Sequence, residues 1–243
     1  MADCREEATA GMAVETAGLR PQPPELQDEV SSLCLLGLVW AAPIIVGPSG
    51  AGLASEMDQL AASLAASHAG MAPGQIPGLA PARKLYRAFG VDPTRTRPSS
   101  EALLRRILLG KPLPRILNAV DLCNLCSLLF LLPIGLYDAA RIRGRVMLRR
   151  GTPGESFKGI RKDEVHLEGR PTLADQEGPF GNPSSDSLRT SVDESTTSLW
   201  MVIFAPADTS PGELAAHVEV AREGMTRHLG PPGTVHSAGR VWP

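Results

Sequence analysis

Aromatic residues are scarce in this chain, 4% of 243 positions. Stacking of bases on an aromatic platform is therefore not advertised. Cysteine is sparse as well: Cys4, Cys34, Cys123 and Cys126 do not form a disulfide framework in a chain of this length. Cys123 and Cys126 have CxxC spacing, yet no second CxxC or nearby Cys/His pair supplies the other ligands of a structural zinc, so both read as small core residues. The five histidines, at 68, 166, 217, 228 and 236, fall without ligand spacing. Neither a metal nor a cofactor is expected. No apolar run reaches the ~20 residues of a spanning helix: Leu33–Val46 is shorter, and Leu125–Leu136 is shorter still and holds Pro133. The N-terminus, MADCREEATAG, is acidic and lacks the basic and apolar regions of a secretory signal. The expectation is a soluble, cytoplasmic protein without membrane contact.

What the chain does have is an ordinary globular balance, 43% hydrophobic and 21% charged, enough for one substantial core or one domain plus tails. Its formal net charge of −2 hides an asymmetry. Residues 1–80 hold two Lys+Arg against nine Asp+Glu, residues 151–243 eight against thirteen, and residues 81–150 fourteen against four. A basic middle third inside an acidic protein favours a polyanion such as RNA, with no DNA expected; the alternative is that these cations only solvate two helices and a strand. The cations that carry the RNA reading are Arg83, Lys84, Arg87, Arg95, Arg97, Arg105, Arg106, Lys111 and Arg115.

Residues 1–29, with a Pro cluster and seven acids, read as a disordered extension. Residues 30–84 form an N-terminal lobe. It opens with a buried strand within Leu33–Val46 and ends in an Ala-rich amphipathic helix over 54–69 and a Gly/Pro loop. GPSGAG at 47–52 has GxxxxG spacing, but Leu53 and Ala54 stand where a phosphate-binding loop needs Lys and Ser/Thr, so it reads as a turn. Two short basic helices follow, the second capped by Ser99 or Ser100 and ended by Gly110. A strand is expected over Ile142–Arg149, and short ones over Val165–Leu167 and Thr172–Ala174. Residues 177–187 read as a loop, Leu199–Ala205 as a central buried strand and 211–229 as a closing helix. Residues 230–243 read as a flexible tail, leaving 85–229 as the core. The class is α+β: a single domain with a mixed, mostly antiparallel sheet packed with helices.

The centre of the chain is LPRILNAVDLCNLCSLLFLLPIGLYD, residues 113–138. A helix is expected from about Ala119 to Phe130. Its polar exceptions, Asn118, Asp121 and Asn124, lie three apart and share one stripe, about 60° round per step. Such groups on an apolar segment require hydrogen-bond partners or a ligand.

The series NAVDLCNL, LPIGLYD, GESF, LADQEGPFGNPSSDSLRT and TTSLWMVIFAP resembles the tRNA-editing (B-three/B-four) domain of the phenylalanyl-tRNA synthetase beta subunit, in a free-standing form. The resemblance covers roughly 85–220. It implies the fold of that editing domain, tRNA or aminoacyl-tRNA as partner, an aminoacyl-tRNA synthetase as a further associate, and hydrolysis of mischarged aminoacyl-tRNA in trans. Gly135 stands where the synthetase domain carries its His, and Pro183 where it carries a Glu, so those two roles do not transfer. The pocket set it implies is Asn118, Asp121, Asn124, Gly135, Tyr137, Asp138, Asp186, Ser187, Arg189 and Thr190.

An aminoacyl ester is already activated and needs positioning, a water and oxyanion stabilisation. Asn118 and Asn124 suit the terminal ribose or the water. Asp121 or Asp186 suits the α-ammonium, and Arg189 suits a phosphate or Asp186 itself. Backbone N–H groups of 186–190 are candidate oxyanion donors. Each has a structural alternative: Asp121 as a cap, Arg189–Asp186 as an ion pair, Tyr137-Asp138 as a turn closure. Two further readings stand beside hydrolysis: a non-catalytic RNA-binding or synthetase-associated module, and an enzyme acting on a small aminoacylated substrate without tRNA.

Overall fold

Two continuous apolar runs make the middle of the fold, because a strand covered on both faces has no polar side to show. The computed structural model describes residues 22–160 and 163–242. In chain order the elements are β1 (Glu25–Leu26), α1 (Asp28–Ser31), β2 (Cys34–Ala42), α2 (Ala51–Ser67), α3 (Ala80–Ala88), α4 (Ser99–Leu108), α5 (Asn118–Phe130), β3 (Ile134–Asp138), β4 (Met147–Arg150), β5 (Ser156–Phe157), β6 (Val165–His166), β7 (Pro171–Asp175), β8 (Gly178–Asn182), β9 (Ser185–Asp186), β10 (Leu199–Pro206), α6 (Pro211–His228) and β11 (His236–Trp242). Strands β2 and β10 pair antiparallel from Leu199 opposite Ala41 to Pro206 opposite Cys34. With β11 outside β2 and β3 outside β10 they form a four-stranded sheet, β11-β2-β10-β3.

Period-2 alternation sends the two faces of that sheet to different neighbours. Val39, Ala41, Leu199, Met201, Ile203 and Ala205 pack into a core with side chains of α2, α4, α5 and α6. Leu36, Leu38, Trp40, Trp200, Val202 and Phe204 pack against a second, five-stranded sheet, ordered β1-β4-β7-β8-β9, and its neighbours. All pairings in that second sheet are antiparallel except β1 with β4. The fold is therefore α+β, a helical layer on one face of a sheet and a second sheet on the other. Residues from 30–84 and from 85–229 contribute to both cores.

Several local expectations change. Of Ile142–Arg149 only Met147 onward is strand; Gly144 takes a left-handed φ of +66° and the Arg143 N–H donates to Asp175 Oδ2 at 2.8 Å, bending the chain. Residues 177–187 hold the β8–β9 hairpin rather than a loop, and 230–243 holds β11, an edge strand along β2. The expected disorder of residues 1–29 falls mostly on 1–21, outside the described residues, whereas Glu25 and Leu26 pair with Met147 and Leu148. Neither Ser99 nor Ser100 caps α4: Pro98 occupies the N-cap, and Ser100 Oγ donates to the Leu131 carbonyl at 3.1 Å. Gly110 does close α4, at φ +67°, its N–H on the Ile107 carbonyl.

Trp200 is 2% exposed between the two sheets. Its replacement by Ala is expected to cost about 3–5 kcal/mol in urea unfolding, whereas Val220→Ala on the 44% exposed face of α6 stays within about 0.5 kcal/mol. Equal effects of the two would contradict the two-sided burial of β10.

Candidate functional site

A cleft of about 470 Å³ opens where α5, the edge strand β3 and the β8–β9 hairpin meet. The helical advance of 100° per residue puts Leu117, Val120 and Asn124 on one face of the α5 region, and these line the cleft together with Cys123. Ile134 and Leu136 of β3 add apolar wall, and Asn182, Ser184, Ser185 and Asp186 add polar groups from the hairpin. Ser99, Ile116, Ile160, Pro183, Ser191 and Val192 complete it. Among the described lining residues Asp186 supplies the one carboxylate, and none is Lys, Arg or His.

Asp186 is positioned by the contact between the two sheets. Its Oδ2 accepts the Leu136 N–H at 3.3 Å. Beside it lies the Tyr137 hydroxyl. The Tyr137 ring is fully buried, edge-on to Phe180 with centroids 5.0 Å apart. It runs over Gly135 on its own strand and Gly181 on β8, and a Cβ on either glycine would overlap the phenol oxygen. A larger residue at 135 is thus incompatible with Tyr137 where it stands. Burial, and then the Asp186 charge, hold the Tyr137 phenol well above its ordinary pKa, so it is a neutral neighbour of the carboxylate. Burial also raises the Cys123 thiol well above its usual value, with Asp186 adding to the shift, so the one thiol in the cleft is no thiolate nucleophile.

The structure divides the expected set. Asn124 and Asp186 meet in the cleft. Asn118 and Asp121 turn instead to the 45–49 loop. Asn118 Oδ1 accepts the Gly47 N–H at 3.1 Å and its Nδ2 donates to the Ile45 carbonyl at 2.9 Å. Asp121 takes the Ser49 hydroxyl at 2.6 Å and the Ile116 N–H at 3.0 Å. GPSGAG is thus a turn tied to the start of α5. Asp138 binds the Ala140 N–H and the Thr196 hydroxyl, both at 2.9 Å, with Arg141 at 3.3 Å. Ser187 Oγ accepts the Arg189 N–H at 3.1 Å, and Thr190 is fully buried. Arg189 pairs not with Asp186 but bidentately with Asp175, at 2.8 and 3.0 Å, and with Glu177. The N–H groups of Ser187, Leu188 and Arg189 are committed to Phe180 O, Lys158 O and Ser187 Oγ, which removes them as oxyanion donors. Asn182, Ser99 and the 184–185 hydroxyls were not anticipated; an Asn-Pro-Ser-Ser turn between two short strands was the available signal.

Much of the basic segment is paired with acids, some near and some distant in sequence. Arg83 grips the buried Glu101 with two bonds of 2.7 and 2.8 Å, and Arg97 reaches the same carboxylate at 3.6 Å. Lys84 pairs with Asp208, Arg95 with Asp92 and Arg115 with Asp58. Among the described residues Arg87, Arg105, Arg106 and Lys111 are exposed without an ion pair. Arg105 and Arg106 lie six and seven residues beyond Ser99 on α4, about 10 Å along the axis from the cleft. Among the described residues no three His, Cys, Asp or Glu side chains converge as a metal site, and no helix is long and apolar enough to cross a membrane.

A family model described as the B3/4 domain matches residues 81–213. No curated protein matches the chain. Among solved structures, an N-terminal fragment of the phenylalanyl-tRNA synthetase beta-subunit from Pyrococcus horikoshii aligns with a TM-score of 0.42 and 13% identity, over 91% of this chain and 52% of that one. This chain thus spans about half the length of that fragment.

The two tyrosines of the protein give a direct test of the packing around the cleft. Burial pushes Tyr86 up to about 12 and Tyr137 well above 10. A phenol whose folded pKa is raised stabilises the fold below its unfolded pKa near 10, and that contribution is lost as pH rises through the folded value. Absorbance titration is expected to show little tyrosinate near pH 10 while the protein is folded, with ionisation following unfolding. A phenol ionising near pH 10 in the folded protein would contradict this packing.

Proposed function

The chain belongs to the B3/4 domain family, and we propose that its cleft takes the aminoacyl end of a mischarged aminoacyl-tRNA and hydrolyses the ester in trans. The observation that carries the proposal is Asp186, a carboxylate lining a cleft with apolar wall on one side and amide and hydroxyl groups on the other. A carboxylate beside amide and hydroxyl groups suits an ammonium. The amino-acid side chain then lies against Val120, Cys123, Ile134 and Leu136, and Asn124 meets the terminal ribose or the water. Water adds its oxygen to the ester carbonyl carbon, the bond to the ribose oxygen breaks, and the water's proton passes to that oxygen. No side-chain nucleophile takes part. Positioning an already activated ester supplies the rate. Arg87, Arg105, Arg106 and Lys111 meet phosphates.

One observation favours the second reading, a non-catalytic RNA-binding or synthetase-associated module. The residues that the resemblance places at Gly135 and Pro183 are a His and a Glu, and Tyr137 fills the space above Gly135.

Release of amino acid from a panel of correctly and wrongly charged tRNAs separates the two. Selective release from a mischarged species is expected, with Asp186→Asn lowering kcat/KM on the order of 10²-fold as the ammonium loses its charged partner. Absence of release from every species, with salt-dependent binding of uncharged tRNA, would leave the binding module. In that binding, Ala at Arg105, Arg106 and Lys111 together is expected to flatten the log–log salt slope by about 0.9 for each phosphate no longer neutralised, and Arg83→Ala to leave it unchanged. A slope insensitive to the triple variant moves the RNA interface elsewhere.

A further inference from the structure

A second groove, of about 480 Å³, lies between α3 and the first turns of α6 and shares no lining residue with the cleft. Pro81, Phe130, Leu132 and Pro206 give it apolar surface. Lys84 and Arg87 stand three apart on α3, and Glu213 and His217 four apart on α6, so helical periodicity keeps each pair on one side. One wall therefore carries cations and the other an acid, with Asp208 also in the lining. The Phe130 ring stacks on His217, with centroids 4.3 Å apart and planes 17° from parallel.

Two of these four charges are spent on each other. Lys84 Nζ lies 2.5 Å from Asp208 Oδ2. Arg87 is exposed and makes no ion pair among the described residues. Glu213 has only the His217 imidazole within reach, at 4.0 Å. Burial lowers the His217 pKa and Glu213 offsets that only in part, so the imidazole is neutral at pH 7. Arg87 and Glu213 thus line one groove without pairing with each other. A simple anion in this groove meets two carboxylates, and a simple amine meets two cations. A dipolar ligand avoids both penalties: its carboxylate takes the Arg87 guanidinium and its ammonium the Glu213 carboxylate.

We propose that this groove binds a zwitterion carrying an apolar side chain, as a free amino acid or a short peptide with free ends. The side chain rests against Phe130 and the neutral His217 ring, taking apolar surface out of water. An aminoacyl ester has no free carboxylate and does not qualify, so the groove is distinct from the cleft and does not depend on what the cleft hydrolyses. Arg87 is also one of the cations offered to phosphates, so tRNA that engages it competes with the zwitterion.

The test follows the His217 ring C–H signal by proton NMR at fixed pH, assigned as the one lost in His217→Gln. The probes are L-leucine, L-phenylalanine and leucyl-leucine, beside N-acetyl-leucine, which lacks the ammonium, and leucinamide, which lacks the carboxylate. A saturable shift is expected, with leucine binding about threefold tighter than either derivative, the size that exposed charge pairs support. Arg87→Gln is expected to bring leucine level with leucinamide, and Glu213→Gln to bring it level with N-acetyl-leucine. Both side chains are exposed, so neither change threatens the fold. Tighter binding of leucyl-leucine than of leucine identifies the ligand as a peptide, and the reverse as a free amino acid. No saturable shift at His217 with any probe overturns the proposal. Equal affinity for leucine and both derivatives overturns it without any variant, and a preference that survives both variants does so as well. Calorimetric binding that leaves His217 unmoved puts the ligand elsewhere and also overturns it. Release of amino acid from charged tRNA is read separately, so this proposal and the aminoacyl reading of the cleft fail independently.

Discussion

The Tyr137 phenol is the constraint on which the candidate site depends. Two glycines on strands from different sheets, Gly135 and Gly181, leave room for its ring, and no other residue type is compatible with that ring as placed. An aromatic of this size buries about 150–250 Å² and so fixes how the two sheets approach each other. The same approach brings β9 alongside β3, so that Asp186 reaches the Leu136 N–H. A half-buried carboxylate needs hydrogen-bond partners. The position of the carboxylate in the cleft is therefore a consequence of sheet packing, and the floor beside it, Ile134 and Leu136, is the opposite face of the strand that carries Tyr137.

Charge works differently at a distance from the cleft. Fourteen cations against four acids over residues 81–150 suggest a strongly basic face. Folding brings Glu25, Asp58, Glu155, Glu177, Asp193 and Asp208 to that segment's arginines and lysine, and Glu101 holds two arginines by itself. What remains for a polyanion is a short exposed series on α3, α4 and the loop after it. Exposed pairs of this kind are worth little in stability, yet they cancel field that a sequence count assigns to a partner.

Much of the fold was legible because the signals were local. The runs around β2 and β10 read as buried strands, α5 is helical over nearly the span that its lack of Gly and Pro suggested, and Gly110 ends α4. β11 was not legible. His236–Trp242 is short, glycine-interrupted and close to the end, and it becomes a strand because β2 offers an open edge. The site divides along the same line. Asp186 came from motif resemblance and Asn124 from the polar stripe of α5, whereas Asn118 and Asp121 of the same stripe turn toward the 45–49 loop, a partner more than seventy residues away. Arg189 was paired with the nearest acid in sequence; the fold gives it Asp175, fourteen residues off.

The most direct measurement is a crystal structure of the protein with a non-hydrolysable aminoacyl-adenosine amide. The account predicts the ligand's ammonium within hydrogen-bonding distance of the Asp186 carboxylate, with its side chain against Val120, Cys123 and Leu136. A ligand seated elsewhere, for example in the groove beside Lys84 and His217, or turned so that its ammonium leaves Asp186, would contradict it.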